Sequence, residues 1–365
     1  MNWLISPNAF KGTIEADEAA EIIKRAILEV NPNDQVQTCP IADGGDGTCF
    51  LLSEILGLEK IHETAGDPLG SPKEGFFSLE PSTKTAFLDV STVSGIKWLR
   101  EVERDPWVCS TYGTGELILA ALERGVEQVV IGLGGSATVD MGLGMLQALG
   151  ISFLNDKGRE IRPFTPDMIL KIKHIQLSPK LPTIKFTFLC DVNNYFFGEN
   201  GAIPVFGPQK GLKEEDKEKF EKASAALFQL LQKKSRKPLR DQAGFGAAGG
   251  IALGISAFFE SELLPGAPYF FQKVGIPEKL KWADVVLTGE GKYDMQSAQG
   301  KGSYELMRMA KQEKTPIWLI SAGEEGKNAG FDRYIQLPDL DFAMAGFELR
   351  AKENLFNVVK EAASS

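Results

Sequence analysis

Val129-Val130-Ile131-Gly132-Leu133-Gly134-Gly135-Ser136-Ala137-Thr138-Val139-Asp140-Met141-Gly142-Leu143-Gly144 reads as a short β-branched strand running into a glycine-rich turn. Met145-Leu146-Gln147-Ala148-Leu149 then starts a buried helix that Gly150 ends. Strand, glycine loop and helix form the layout in which backbone N–H groups at a helix N-terminus receive an anion. Gly134 and Gly135 lack the side chains that would hold a ligand off the main chain. Ser136 and Thr138 add hydroxyls, and Asp140 adds a carboxylate that suits a phosphate only with a metal ion between them. The turn is neither a P-loop, which carries Lys and Ser/Thr after its second Gly, nor the dinucleotide fingerprint. One such turn is equally a tight connection that uses Gly for geometry alone, so the rest of the chain decides.

The layout repeats outward in both directions. Residues 2–6 predict a buried strand, followed by the loop Pro7-Asn8-Ala9-Phe10-Lys11-Gly12-Thr13 and by Ala19, Ile22, Ile23, Ala26, Ile27 and Val30 at helical spacing. A second strand over 35–41 meets Ala42-Asp43-Gly44-Gly45-Asp46-Gly47-Thr48 and a helix that stops at Gly57. Residues 62–99 change texture, with short apolar runs between turn signals, as in antiparallel strands of another domain. A strand over 185–190 ends in Asp191-Val192-Asn193-Asn194, and from about residue 281 the α/β alternation returns. There a strand over 284–287 precedes Thr288-Gly289-Glu290-Gly291-Lys292-Tyr293-Asp294, and further strands are expected over 316–321 and 334–337. The expected class is therefore α/β with two domains. The two ends, 1–60 plus 282–365, form a doubly wound parallel sheet, and 61–281 is an inserted α/β domain with a mixed sheet. In the alternative arrangement the strand at Val129 joins the same sheet as the two ends.

Composition narrows the function. The chain of 365 residues is 43% hydrophobic and 24% charged, as in ordinary water-soluble proteins. A net charge of −9 with no long Lys/Arg run argues against nucleic acid. No apolar run is long enough for a bilayer, which argues against a membrane span. Cys39, Cys49, Cys109 and Cys190 show no CxxC spacing and read as reduced, buried thiols of a cytoplasmic protein. With two histidines, His62 and His174, away from the glycine motifs, a zinc site or a Ser-His-Asp triad has few candidates.

Loops at the carboxyl ends of parallel strands converge on one crevice, where such folds bind ligands. The candidates are Lys11, Asp43, Gly44, Gly45, Gly134, Gly135, Ser136, Thr138, Asp140, Asp191, Asn193, Lys210, Gly289, Glu290, Asp294 and Lys301. Taken singly, Asp43 is also a helix cap, Lys11 a solvated lysine and Asp191 a turn former. Together, acids, lysines and glycine turns with almost no histidine suit phosphoryl transfer. Hydride transfer would need a dinucleotide fingerprint, and none is found.

Pro7-Asn8-Ala9-Phe10-Lys11-Gly12, 42–48, Thr111-Tyr112-Gly113-Thr114-Gly115-Glu116, 134–138, Cys190-Asp191-Val192, Val205-Phe206-Gly207-Pro208-Gln209-Lys210-Gly211, 246–250 and 288–291 resemble, in order, the motifs of the type 1 glycerate kinases. The resemblance runs from about residue 4 to residue 323. It implies transfer of the γ-phosphoryl group of ATP to D-glycerate with Mg2+, giving 2-phosphoglycerate. It also implies two α/β domains, one flavodoxin-like, with the active site in the cleft between them. Three loops depart from the family pattern: Val139-Asp140-Met141-Gly142, where Met141 replaces a glycine; Asn193-Asn194-Tyr195-Phe196; and Lys292-Tyr293-Asp294. On this resemblance Asp191, then Asp43, is the expected base, and Glu290 and Asp294 hold magnesium. Lys11 and Lys210 neutralise the phosphoryl group or the substrate carboxylate, and the 134–138 turn supplies backbone donors. A kinase for a related sugar acid and a non-catalytic sugar-acid sensor are the alternatives. The sequence leaves a homo-oligomer open.

Overall fold

A computed structural model describes residues 1–10, 12–235, 237–293 and 302–364. Lys11, Asp294 and Lys301 lie outside the described residues. The chain divides into two compact units, Met1–Asp43 with Gly266–Ser365, and Gly44–Pro265.

In the first unit the strands are β1 (Asn2–Ile5), β2 (Gln35–Thr38), β11 (Val285–Lys292), β12 (Ile317–Ala322) and β13 (Arg333–Gln336). All are parallel, in the order β13-β12-β11-β1-β2. Numbered along the chain, these five strands lie 2-1-3-4-5, the flavodoxin-like order. The inner strands β1, β11 and β12 are largely apolar and buried because both their faces are covered, whereas the edge strands β2 and β13 are polar and partly exposed. Trp3, Ile5, Val285, Leu287 and Ile320 pack with Ile23 and Ile27 of the helix Ala16–Val30 and with Leu355 and Val359 of the helix Phe347–Ala363. Leu4, Val286 and Leu319 point to the alternate face and are equally buried, and the helices Ile276–Trp282 and Gly302–Glu313 contact these strands.

The second unit is built on a six-stranded sheet, β10-β9-β6-β5-β4-β3. Its members are β3 (Glu59–Gly66), β4 (Pro72–Glu80), β5 (Thr85–Asp89), β6 (Gln128–Gly132), β9 (Lys185–Cys190) and β10 (Glu260–Pro265). The turn-rich stretch forms the antiparallel part, β3 with β4 and β4 with β5, while β5, β6, β9 and β10 run parallel. Thus the strand at Val129 is central to this mixed sheet and not part of the first one. A separate antiparallel pair joins β7 (Ile151–Leu154) to β8 (His174–Leu177).

The division falls after residues 43 and 265 rather than near 60 and 282. The helix Thr48–Leu56 explains the first shift. Its first amide groups, Cys49 N and Phe50 N, donate to the Asp89 carboxylate at the end of β5, at 3.0 and 2.9 Å. The polar loop after β2 therefore delivers its helix to the other sheet. All four cysteines are buried and unpaired. No helix of the described residues is long and apolar enough to cross a membrane.

Candidate active site

Beyond Gly132 the chain leaves β6 and must pass against the 45–46 backbone. A Cβ on Gly134 would lie 1.9 Å from the Asp46 amide nitrogen, so only hydrogen fits there. Gly135 follows at φ +65°, in the left-handed region. Two bonds then tie the loop to the turn after β5: Ile96 N donates to Gly135 O at 2.8 Å and Ala137 N to Ser94 O at 2.9 Å. The amides of Gly134, Gly135 and Ser136 make no hydrogen bond among the described residues. Successive free N–H groups of this kind form an anion-binding concavity.

What holds the loop is buried. Lys210, from the turn Pro208–Lys210, is 4% exposed, and its Nζ donates to Ser136 Oγ and to Thr138 O, both at 2.8 Å. Burial pushes this ammonium down to about 8, against the pull of the Asp140 carboxylate and Cys109. Asp140 accepts from Thr111 N (3.2 Å), Thr111 Oγ1 (2.8 Å), Gly142 N (3.0 Å) and Gly144 N (3.2 Å). Burial nevertheless raises its pKa from the ordinary aspartate value, against the pull of these hydrogen bonds. Met141 keeps the backbone shape expected of a glycine, at φ +50°, and donates its N–H to Gly249 O at 2.9 Å. Gly249 in turn packs so closely that its Cβ would lie 2.0 Å from Thr138 O. The Thr138 hydroxyl is buried and without a partner among the described residues.

Leu133 N donates to Leu189 O at 3.0 Å, which joins the β6 loop to the end of β9. There Asp191 is half-buried and Asn193 exposed. The second unit therefore brings together Gly134, Gly135, Ser136, Thr138, Asp140 and Lys210, with Asp191 on the neighbouring strand. Gly44 N donates to Thr48 Oγ1 at 3.0 Å, and Gly45 O accepts from the same hydroxyl at 3.0 Å, so both glycines serve the turn into that helix.

In the first unit a cavity of about 700 Å3 opens at the carboxyl ends of β1, β11, β12 and β13. Asp43 and Glu290, 8% and 9% exposed, both line it. Asn8 fixes the wall between them. Its N–H bonds Gly289 O at 2.8 Å, its Oδ1 accepts from Ala9 N at 2.8 Å, and its Nδ2 reaches Asp43 Oδ2 at 3.3 Å. Gly289 is needed here because a Cβ would lie 2.8 Å from the Phe10 ring and 2.9 Å from Ile320 O. Among the described residues no three His, Cys, Asp or Glu side chains cluster as a metal cage.

Asp89 and Ser91 are not among the candidates the sequence offers, and Thr111 enters there only as part of the 111–116 motif. Asp89 is 4% exposed, and burial pushes its carboxyl up to about 7, while the Cys49 and Phe50 amides pull it back. Ser91 Oγ donates to Asp46, fixing the loop that presses on Gly134. Thr111 Oγ1 bonds Asp140 and accepts from Met145 N at 3.1 Å. One signal was present: an aspartate closing the otherwise apolar strand Thr85–Asp89.

The geometry agrees with what the chain is similar to. The model of the glycerate kinase family matches residues 3–365. A glycerate kinase of Haemophilus influenzae is 37% identical over 323 residues, 88% of this chain and 85% of that one. A glycerate 2-kinase of Escherichia coli K12 is 33% identical over 359 residues, 95% of this chain and 94% of that one. A crystal structure from Salmonella typhimurium LT2, described provisionally as glycerate kinase 2, matches with a TM-score of 0.86 and 31% identity over 100% of this chain and 97% of that one. The chain belongs to the glycerate kinase family.

Proposed function

We propose that this chain is a type 1 glycerate kinase that moves the γ-phosphoryl group of ATP to the 2-hydroxyl of D-glycerate, with Mg2+, giving 2-phosphoglycerate and ADP. The observation that carries the reading is the run of free amides at Gly134, Gly135 and Ser136, fixed from behind by Lys210. Phosphoryl transfer asks the protein for donors already in place and for little covalent chemistry.

Asp191 takes the proton of the glycerate hydroxyl as its oxygen bonds to phosphorus and the bond to the ADP oxygen breaks. Its half-buried place at the end of β9, beside the glycine loop, supports this role. Asp43 is second choice. The loop amides, with the buried Thr138 hydroxyl behind them, receive the substrate carboxylate or phosphate oxygens. Magnesium, when bound, shields the phosphate charge. It is commonly held by one or two carboxylates plus phosphates and water, and two buried carboxylates, Asp43 and Glu290, on one cavity wall fit that pattern. Lys11, Lys301 and Asp294 complete the proposal as charge-neutralising and metal-holding groups.

The test couples ADP release to a visible readout with MgATP and D-glycerate, and identifies the product by phosphorus NMR. Formation of 2-phosphoglycerate supports the reading. ADP with longer sugar acids but not glycerate places a change of substrate in the 139–142 and 193–196 loops. No ADP with any acid leaves a sensor. In an active enzyme, Asp191→Asn is expected to lower kcat at least about a hundredfold with little change in KM, as for a lost general base.

A further inference from the structure

We infer that the strand-end cavity of the first unit receives the purine nucleoside of the phosphoryl donor; the inference rests on the kinase reading and adds where the donor's neutral end sits. The cavity of about 700 Å3 lies within the usual range for small-molecule sites. It sits where β1 and β11 are neighbours and their connections leave in opposite directions, the switch point at which open α/β sheets take their ligands.

Its lining is divided. Phe10, Ile14, Leu337, Leu340, Phe342 and Leu355 form its apolar lining, while Asp43, Glu290, Asp339 and Lys292 are its charged residues. A triphosphate is unfavourable against the apolar lining, where it loses hydration, and the three carboxylates of the described lining outweigh its one lysine, so they repel it unless a further cation intervenes. A flat neutral ring suits the apolar side. Phe342, 62% exposed, is a large apolar ring that a bound base would cover. Thr13 and Asn354 add a hydroxyl and an amide to the same lining, the sparse polar groups that orient a ring within an apolar pocket. The nucleoside therefore lies against Leu337 and Phe342, and its phosphates leave toward Asp43 and Glu290, where magnesium is required.

The experiment fills the cavity. Ala351 lines it from the helix Phe347–Ala363 and is half-buried, so Ala351→Trp occupies the space of the base from a position that tolerates a larger side chain. Binding of ATP and of adenosine is measured by calorimetry on the intact chain, alongside steady-state kinetics and the melting temperature. Expected are at least a tenfold loss of ATP and adenosine affinity, a matching rise in KM for ATP, and a glycerate KM within about twofold. Leu340→Asp, in a half-buried loop, gives the same test without added volume should Ala351→Trp fail to fold. Unchanged ATP affinity in both folded variants overturns the cavity assignment and leaves the kinase reading intact. ATP and adenosine binding that the variants abolish, in a chain with no turnover of any acid, overturns the kinase reading and supports the cavity assignment. No adenosine binding by the parent chain at millimolar concentration overturns the inference.

Discussion

The glycine loop of the second unit and the strand-end cavity of the first both lie at the carboxyl ends of parallel strands, yet they differ in what surrounds their charged groups. Around the loop, Asp140 and Lys210 are spent on protein: four donors meet the carboxylate, and the ammonium binds Ser136 and Thr138. Their work is to hold backbone amides in one place. Around the cavity, Asp43 and Glu290 form part of a wall that a ligand can meet. On the proposed reading, replacing a charge of the first kind is therefore expected to damage the scaffold, whereas replacing one of the second kind is expected to alter ligand binding.

The contrast breaks most directly at Asp140. Asp140→Ala strands buried donors, and urea unfolding is expected to show a loss of about 3–5 kcal/mol. A loss under about 1 kcal/mol with a selective fall in kcat would move Asp140 to the chemistry side of the comparison. Met141→Gly follows. Glycine relieves the left-handed backbone, which costs a non-glycine residue about 1–2 kcal/mol. It also empties a fully buried site, where large-to-small changes cost about 2–5 kcal/mol. The expected net loss is about 1–3 kcal/mol by thermal melting, even though the family pattern has glycine at this point.

The third pair sharpens the comparison through pH. Lys210, depressed to about 8 in the fold, binds fewer protons there than in the unfolded chain between about pH 8 and its ordinary 10.5. Its contribution to stability therefore rises with pH across that window. Asp89, raised to about 7 from 3.8, has the opposite sign: its contribution is fully present below about pH 4 and is lost as pH rises through 7. Urea midpoints measured against pH for Lys210→Met and Asp89→Asn, each compared with the parent, check the two slopes. Lys210→Met is expected to cost about 1–2 kcal/mol at neutral pH, because Thr138 O loses its donor and the Asp140 carboxylate a nearby cation. Its activity falls because the loop amides lose their support. The smallest effect belongs to Lys292, which is exposed and 3.9 Å from Glu325. Lys292→Ala is expected to cost under about 0.5 kcal/mol in the same urea assay.

Much of this was legible because glycine-rich loops are written in short contiguous runs. Gly134, Gly135 and Ser136 announce a close backbone approach, and the parallel strands announce themselves as apolar runs between such loops. What could not be read were partners distant in sequence. Asp89 bonds Cys49 and Phe50, forty residues or so away, so neither its capping role nor the transfer of the helix Thr48–Leu56 to the second sheet is visible in any local window. The same holds for Lys210, read in the sequence as a cation for the phosphoryl group or the substrate carboxylate, whose ammonium the structure buries against Ser136 and Thr138. Met141 is instructive in the other direction. The sequence marks a lost glycine, and the structure keeps the glycine conformation with a methionine packed into the core.

The central claim is that the amides of Gly134, Gly135 and Ser136 form a fixed receptor for an anion. Selective 15N labelling of glycine and serine, followed by titration with D-glycerate and then 2-phosphoglycerate, observes those three groups one by one. The expected result is that all three resonances shift together and saturate at a common affinity, and that Lys210→Met abolishes the common response. Saturable binding seen elsewhere in the spectrum, with these three amides unmoved, would contradict it.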